Sequence, residues 1–329
     1  MNSTPSTDDP KPSRLGGNAP AHLAAVTSRV SDYIQRAKAS STLKIYKTDW
    51  NHFEKWCRSS GHSSLPATPD AVALYASDIS GTLKPPTISR HMAAICQEHV
   101  NRGLESPTRD IKVRLVMSGI RRQHGLARGS KRALLVDDLK RVAGNLPKEG
   151  LLAIRDRALI LIGFCGGFRR SELVALDWED VETTAQGLTI TLRRSKTDQF
   201  GCGRRVGIPY TTSPNTCPVR SFQRWLEASE ITKGPIFRPI TKHGKVLPQR
   251  LSSHAVATTV KRRAKDVGLD ATEFSGHSLR SGLATSAAMK GASERQIMNQ
   301  TGHRSVTQVR RYIREGSLFR DNVVNTLDL

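Results

Sequence analysis

The chain is short of acidic residues: 29 Asp and Glu stand against 51 Lys and Arg, a formal charge of +22 over 329 residues. An excess that large is more than solubility requires and points to a polyanionic partner, DNA or RNA. Long apolar runs are missing too. No stretch approaches the ~18 consecutive apolar residues that span a bilayer, and residues 1–17 lack the apolar centre of a secretory leader. The five cysteines are odd in number, scattered and never spaced C-x-x-C, which excludes a disulfide framework and a zinc site. Cys57, Cys96 and Cys165 lie in apolar helical patterns and read as small core residues. A reducing, cytoplasmic setting is expected, with nucleoid association when nucleic acid is bound. No internal repeat, P-loop or dinucleotide fingerprint occurs, and no metal or other cofactor is expected.

What the chain does have is concentrated at residues 275–316. A proline-free run from Ser278 to Lys290 carries Leu279, Leu283 and Ala287 at helical spacing, and His277 and Arg280 share one face of its first turn. Ser293 with Gln296 reads as a capping box opening a second helix, which Gly302 stops. His303 sits in the turn. Ser305 and Gln308 repeat the box and open a third helix. On that helix Val306, Val309 and Ile313 mark the apolar face, and Tyr312 falls roughly 100–120° from its centre. Tyr312 is therefore expected at the edge of the core or outside it. It is either an interfacial tyrosine satisfied locally or a reactive one.

Before this stretch, residues 1–20 read as a disordered tail and residues 21–125 as a helical domain. Its helices cover residues 21–39, a segment capped by Ser40, Ser41 and Thr42 with a stripe of Leu43, Tyr46, Trp50, Phe53 and Cys57, and a helix opened by Thr68 and Pro69. Another, started by Pro85, Pro86 and Thr87, runs from Ile88 to about Arg102. The last runs from Asp110 to Gly125 with Ile111, Leu115 and Ile120 inside. Lys44, Lys47, Thr87, Ser89, Arg90, His91, Arg121 and Arg122 lie off the stripes or near helix starts, as a solvated basic face or a DNA-backbone contact. Residues 126–132 read as a basic Gly/Ser linker. The second domain, residues 133–329, holds a buried helix from Leu151 to Phe164. It also holds two strands (187–192 and 204–208) joined by a hairpin loop, and a basic helix from Ala255 to Val267. On or beside that helix His254, Thr258, Arg262 and Arg263 suit insertion in a major groove, and the hairpin's Arg193 and Arg194 suit phosphates. Gly166 and Gly167 would let the backbone crowd a ligand.

The ordered set His277-x-x-Arg280, Gly302-His303 and Tyr312 nine residues later resembles the tyrosine recombinase (phage integrase) family. So does Gly166-x-x-Arg169-x-Ser171-Glu172-Leu173 leading into Leu176-x-Trp178-x-Asp180-Val181. The helical succession and the Thr87-Ile88-Ser89-Arg90-His91 segment look most like the Cre type. The resemblance implies a mainly α, two-domain DNA clamp: a helical core-binding domain, then a mixed catalytic domain with a small antiparallel sheet. It implies Tyr312 as nucleophile, Arg169, Arg280 and His303 as donors to the phosphate, and His277 as acceptor of the tyrosine proton. Glu172 would orient His277 or the neighbouring arginine, and Lys196 on the hairpin would protonate the leaving group. The implied partner is double-stranded DNA with short inverted repeats, bound by a free monomer that assembles into a tetramer through a Holliday junction. Residues 317–328, with Leu318, Phe319, Val323, Val324 and Leu327, would form a short helix docked on the same domain or on a neighbour. An inactive DNA-binding regulator would show one of the motif residues replaced, and none is. A type IB topoisomerase would share the chemistry without defined sites.

Overall fold

The computed structural model describes residues 38–125, 131–193, 203–319 and 322–327, with isolated positions between 23 and 33. The tail expected over residues 1–20 lies outside them, as does most of the helix expected over 21–39. The chain divides into two compact units, up to Arg128 and from Gly129. Residues 126–130 of the expected linker are outside the described residues. Lys131 and Arg132 are held by the second unit: the Lys131 ammonium donates to the Thr272 carbonyl (2.7 Å) and the Arg132 backbone N–H to that of Glu273 (2.8 Å).

The first unit is helical: α1 (Ser40–Ser59), α2 (Pro69–Ile79), α3 (Pro85–Asn101) and α4 (Ile111–His124). The starts follow local chemistry. Thr68 Oγ1 accepts from the Ala71 N–H with Pro69 at the first helical position, and the Asp110 carboxylate accepts from the Lys112 N–H. At α1 no side chain caps; Ala39 holds that position. The core joins Trp50, Phe53 and Cys57 of α1 to Tyr75, Ile88 and Ile95. In α4 the buried face is Val113, Met117 and Ile120, whereas Ile111 and Leu115 are 63% and 64% exposed. Both sets have helical spacing, and packing against α2 and α3 selects one.

The second unit carries α5 (Val136–Asn145), α6 (Leu151–Cys165), α7 (Arg170–Ala175), then strands β1 (Val181–Thr184), β2 (Gly187–Leu192) and β3 (Arg204–Pro209). The strands form one antiparallel sheet in the order β1-β2-β3, with Ile190 opposite Val206 and Leu192 opposite Arg204. Then come α8 (Pro218–Ser229), α9 (Ser253–Lys265), α10 (Ser278–Met289), α11 (Glu294–Thr301) and α12 (Val306–Ser317). Every residue of α6 from Ala153 to Phe164 is buried, which accounts for its lack of a polar face. Its buried Asp156 carboxylate takes hydrogen bonds from Arg155, Arg262 and Arg263. None of the described helices is long and apolar enough to cross a membrane.

Small residues let α10 approach its neighbours. A Cβ on Gly282 would lie 1.9 Å from the Leu134 carbonyl oxygen, and one on Gly316 of α12 would lie 2.8 Å from the Thr285 carbonyl of α10. The Ser293/Gln296 capping box opens α11. Ser305 makes no side-chain cap at α12, in contrast to the repeated box expected there. Where a helix was expected over 317–328, the described residues beyond α12 make a short 3-10 turn, Val323–Thr326. Leu318, Phe319, Val323, Val324 and Leu327 are all exposed. A segment this short has too few internal hydrogen bonds to hold an α-helix against chain entropy.

Candidate active site

The residues of the two motifs meet because three backbone devices turn the chain toward one point. Buried α6 runs into Gly166 and Gly167, and Arg169 occupies the position capping α7. The glycine pair serves packing: a Cβ on Gly166 would strike the Phe168 ring at 2.2 Å, and Gly167 has φ +58°. His277 caps α10, with Arg280 one turn inside. Gly302, at φ +66°, ends α11 in the left-handed conformation that glycine adopts without strain, and so swings His303 back.

Arg280 is 1% exposed. Its Nη1 donates to the carbonyl oxygens of Gly167 and Thr301, and its Nη2 is buried with no acceptor among the described residues. Burial, then the Arg169 guanidinium, pushes its pKa down to about 10, still charged at neutral pH. The Glu172 carboxylate, 2% exposed, accepts from Arg169 Nη1 (2.5 Å) and the Arg169 N–H (2.9 Å). Of the two roles open to it, the geometry has Glu172 orienting arginine. Three guanidinium groups, Arg169, Arg204 and Arg280, thus surround one carboxylate. A buried excess of positive charge suits an anion gaining charge.

Tyr312 is 4% exposed, packed with Ala284, Ala288, Ile297 and Val309. It lies inside the fold, further in than its helical position suggested, because α10 and α11 close over that side of α12. Its hydroxyl is 3.0 Å from His277 Nε2. His277 as a residue keeps solvent contact, but protein around the ring, then Arg280, Arg311 and Arg169, holds its pKa below the ordinary value. A neutral imidazole at hydrogen-bond distance can accept the phenolic proton. His303 is 7% exposed, its ring centroid 5.7 Å from that of Tyr312. Burial, followed by Arg280, Arg169, His277 and Arg204, pushes its pKa down to about 3.

Arg204 and Thr301 belong to this cluster, and sequence reading missed both. Arg204, read only as strand, donates from Nη1 to the Gln300 carbonyl (3.0 Å) and from Nη2 to that of Thr301 (3.3 Å). It ties β3 to the C-terminal carbonyls of α11, where a cation is favoured. A Cβ on Gly302 would lie 2.6 Å from its Nε. The partners lie almost a hundred residues apart, so no local pattern announces them.

Lys196 and Arg194 lie outside the described residues. Arg193 is exposed, its Nε 2.6 Å from Asp180 Oδ1. Lys44, Lys47, Arg121, Arg122, His254 and Thr258 are exposed, and Thr87 and Ser89 half-buried. Two expected DNA contacts are placed otherwise. His91 is 4% exposed and bonds the Tyr75 hydroxyl through Nδ1 (2.7 Å), with Nε2 3.3 Å from Asp49, so it is a core residue. The Arg263 side chain, 13% exposed, is paired to Asp156 and Asp266. Arg90 and Arg262 are more open but are engaged by Asp49 and Asp156. In each case a carboxylate distant in sequence holds the side chain, and His91 and Arg263 are drawn inward with it.

Residues 132–317 match the profile of the phage integrase family. The chain is similar to an integrase/recombinase XerD homolog of Selenomonas ruminantium, 41% identical over 297 residues that cover 89% of this chain and 87% of that protein. It is 25% identical over 301 residues to the recombinase Cre of Escherichia phage P1, covering 85% of each. Among solved structures its fold is shared with a lambda integrase(75-356) dimer bound to a COC′ core site. There the TM-score is 0.60 and the identity 15%, covering 92% of this chain and 98% of that one.

Proposed function

The chain belongs to the phage integrase family and is a tyrosine recombinase, and on that premise we propose that Tyr312 cleaves DNA by attacking a backbone phosphorus. The observation that carries the reading is the Tyr312 hydroxyl 3.0 Å from His277 Nε2, beside buried Arg280, whose Nη2 has no acceptor among the described residues. The Tyr312 oxygen forms a bond to phosphorus, the bond to the 5′ oxygen breaks, and the phenolic proton passes to His277 Nε2. Arg169, Arg280 and His303 hold the nonbridging oxygens as charge gathers there, while Glu172 keeps Arg169 in place. Lys196 gives a proton to the departing 5′ oxygen, which leaves as a hydroxyl, an assignment that rests on the family resemblance alone. The product is a 3′-phosphotyrosyl ester. A 5′ hydroxyl from another strand reverses the step with the new partner, so bond energy is kept and no nucleotide cofactor is consumed.

Two short sites with inverted repeats, bound by four copies and exchanged through a Holliday junction, complete the proposal. The exposed apolar residues between Leu318 and Leu327 support docking of the tail on a neighbouring copy, a head-to-tail contact that closes into a ring. Lys44, Lys47, Arg121 and Arg122 on the first unit, and His254 and Thr258 on α9, are exposed and available to DNA.

The test is Tyr312→Phe. Against duplexes tiled from the DNA flanking the gene, the wild-type protein forms a covalent protein–DNA adduct stable to denaturation. The Phe variant binds the same duplex and forms none. An adduct that survives the substitution gives the nucleophile to another residue.

A further inference from the structure

Thr301 sits at the centre of the site and makes contacts that the proposed chemistry does not use. Its carbonyl receives Arg280 and Arg204. Its hydroxyl oxygen lies 2.6 Å from the Ile297 carbonyl and 2.7 Å from His303 Nδ1. A hydroxyl has one proton to give. The Ile297 carbonyl can only accept, and two oxygens 2.6 Å apart with no proton between them repel. The threonine proton therefore goes to Ile297, and toward His303 the hydroxyl can only accept. Nδ1 must then carry a proton. In a neutral imidazole this leaves Nε2 bare, an acceptor where a phosphate oxygen needs a donor.

We propose that Thr301 is a positioning residue that fixes the tautomer of His303, so that His303 donates to the scissile phosphate only as the doubly protonated ring and strand cleavage takes up a proton there. The inference rests on the proposed role of His303 at the phosphate. The groups facing the ring fit it. Arg169 beside Glu172 faces it from the start of α7, Arg204 from β3, His277 and Arg280 from α10, and Tyr312 from α12. Without DNA these cations and burial keep His303 neutral. A phosphate gaining negative charge in their midst reverses the balance and stabilises the imidazolium. The proton so acquired lies on Nε2, between ring and oxyanion, and is released to solvent once the five-coordinate phosphorus collapses to the ester and the extra charge is gone.

The tautomer is read directly from long-range ¹H–¹⁵N spectra of the full chain without DNA near pH 8, the His303 signal being identified by its loss in His303→Gln. Wild type and Thr301→Ser are expected to show protonated Nδ1 and bare Nε2. Thr301→Val keeps the branched shape and the backbone carbonyl but cannot accept, and should shift the ring toward protonated Nε2. A wild-type ring protonated on Nε2 when neutral overturns the inference and leaves the role of Tyr312 intact.

Single-turnover adduct formation across pH, on a tiled duplex nicked beside the cleavage point, is the second readout. Wild type and Thr301→Ser should lose about tenfold in rate per pH unit above the titration of the bound ring. Thr301→Val should lack that alkaline limb, because a neutral ring can then present Nε2–H. A limb unchanged in Thr301→Val overturns the inference. No adduct from the wild-type protein on any duplex overturns the function of Tyr312 and takes the inference with it.

Discussion

Arg280 commits one guanidinium nitrogen to two backbone carbonyls and keeps Nη2 without an acceptor among the described residues. That division of labour needs a planar fork. Lysine is a single point charge and cannot hold the carbonyls and reach a phosphate at once. Arg280→Lys is therefore expected to lose about 10²–10³ in single-turnover cleavage, as for an oxyanion donor, while retaining DNA binding; near-normal cleavage would mean that charge alone suffices. His303 gives a stability prediction. Its pKa falls from 6.5 in the unfolded chain to about 3 in the fold, so between these values the unfolded chain binds the proton and the fold does not. Its contribution is complete above about pH 6.5 and is lost as pH falls, by about 1.4 kcal/mol per unit. Denaturant unfolding of the second unit should show that slope in wild type and a shallower one in His303→Gln.

Among the elements, α10 carries His277 and Arg280, and its placement depends on Gly282. Alanine there would gain about 1 kcal/mol of helix propensity. Its Cβ would also lie 1.9 Å from the Leu134 carbonyl oxygen, on backbone pinned by the Leu134 N–H bond to the Ser278 carbonyl (3.0 Å). Overpacking against fixed backbone costs about 1–3 kcal/mol or more and should win. Gly282→Ala is expected to lower the urea midpoint of the second unit and to slow cleavage, since α10 must shift. A raised midpoint would show that Leu134 yields freely.

The tail bears on the whole molecule. Phe319 and Val323 are 82% and 71% exposed, a poor state for apolar side chains in water and a good one for a contact between copies. Deleting residues 317–329 should leave single-site DNA binding nearly intact, by gel shift, and abolish the synapsis of two sites and their recombination. Recombination at the normal rate by the truncated chain would make the tail a local feature.

The sequence by itself determined most of the helices, two of the three strands and the order of the site. His277 and Arg280 fall on one turn, Gly302 breaks the chain before His303, and Thr68 and Asp110 start their helices, because each signal needs only neighbours within a turn of one another. The family motifs could be read for the same reason. Tertiary structure decided which of two helical stripes α4 buries and that Tyr312 goes inside. It also drew His91 and Arg263 inward to Asp49 and Asp156, the latter 107 residues from Arg263, and brought Arg204 and Thr301 into the site. Burial of a polar or charged group is settled by whether a partner arrives to compensate its lost hydration. Those partners come from other elements, at separations where helical period and capping carry no information.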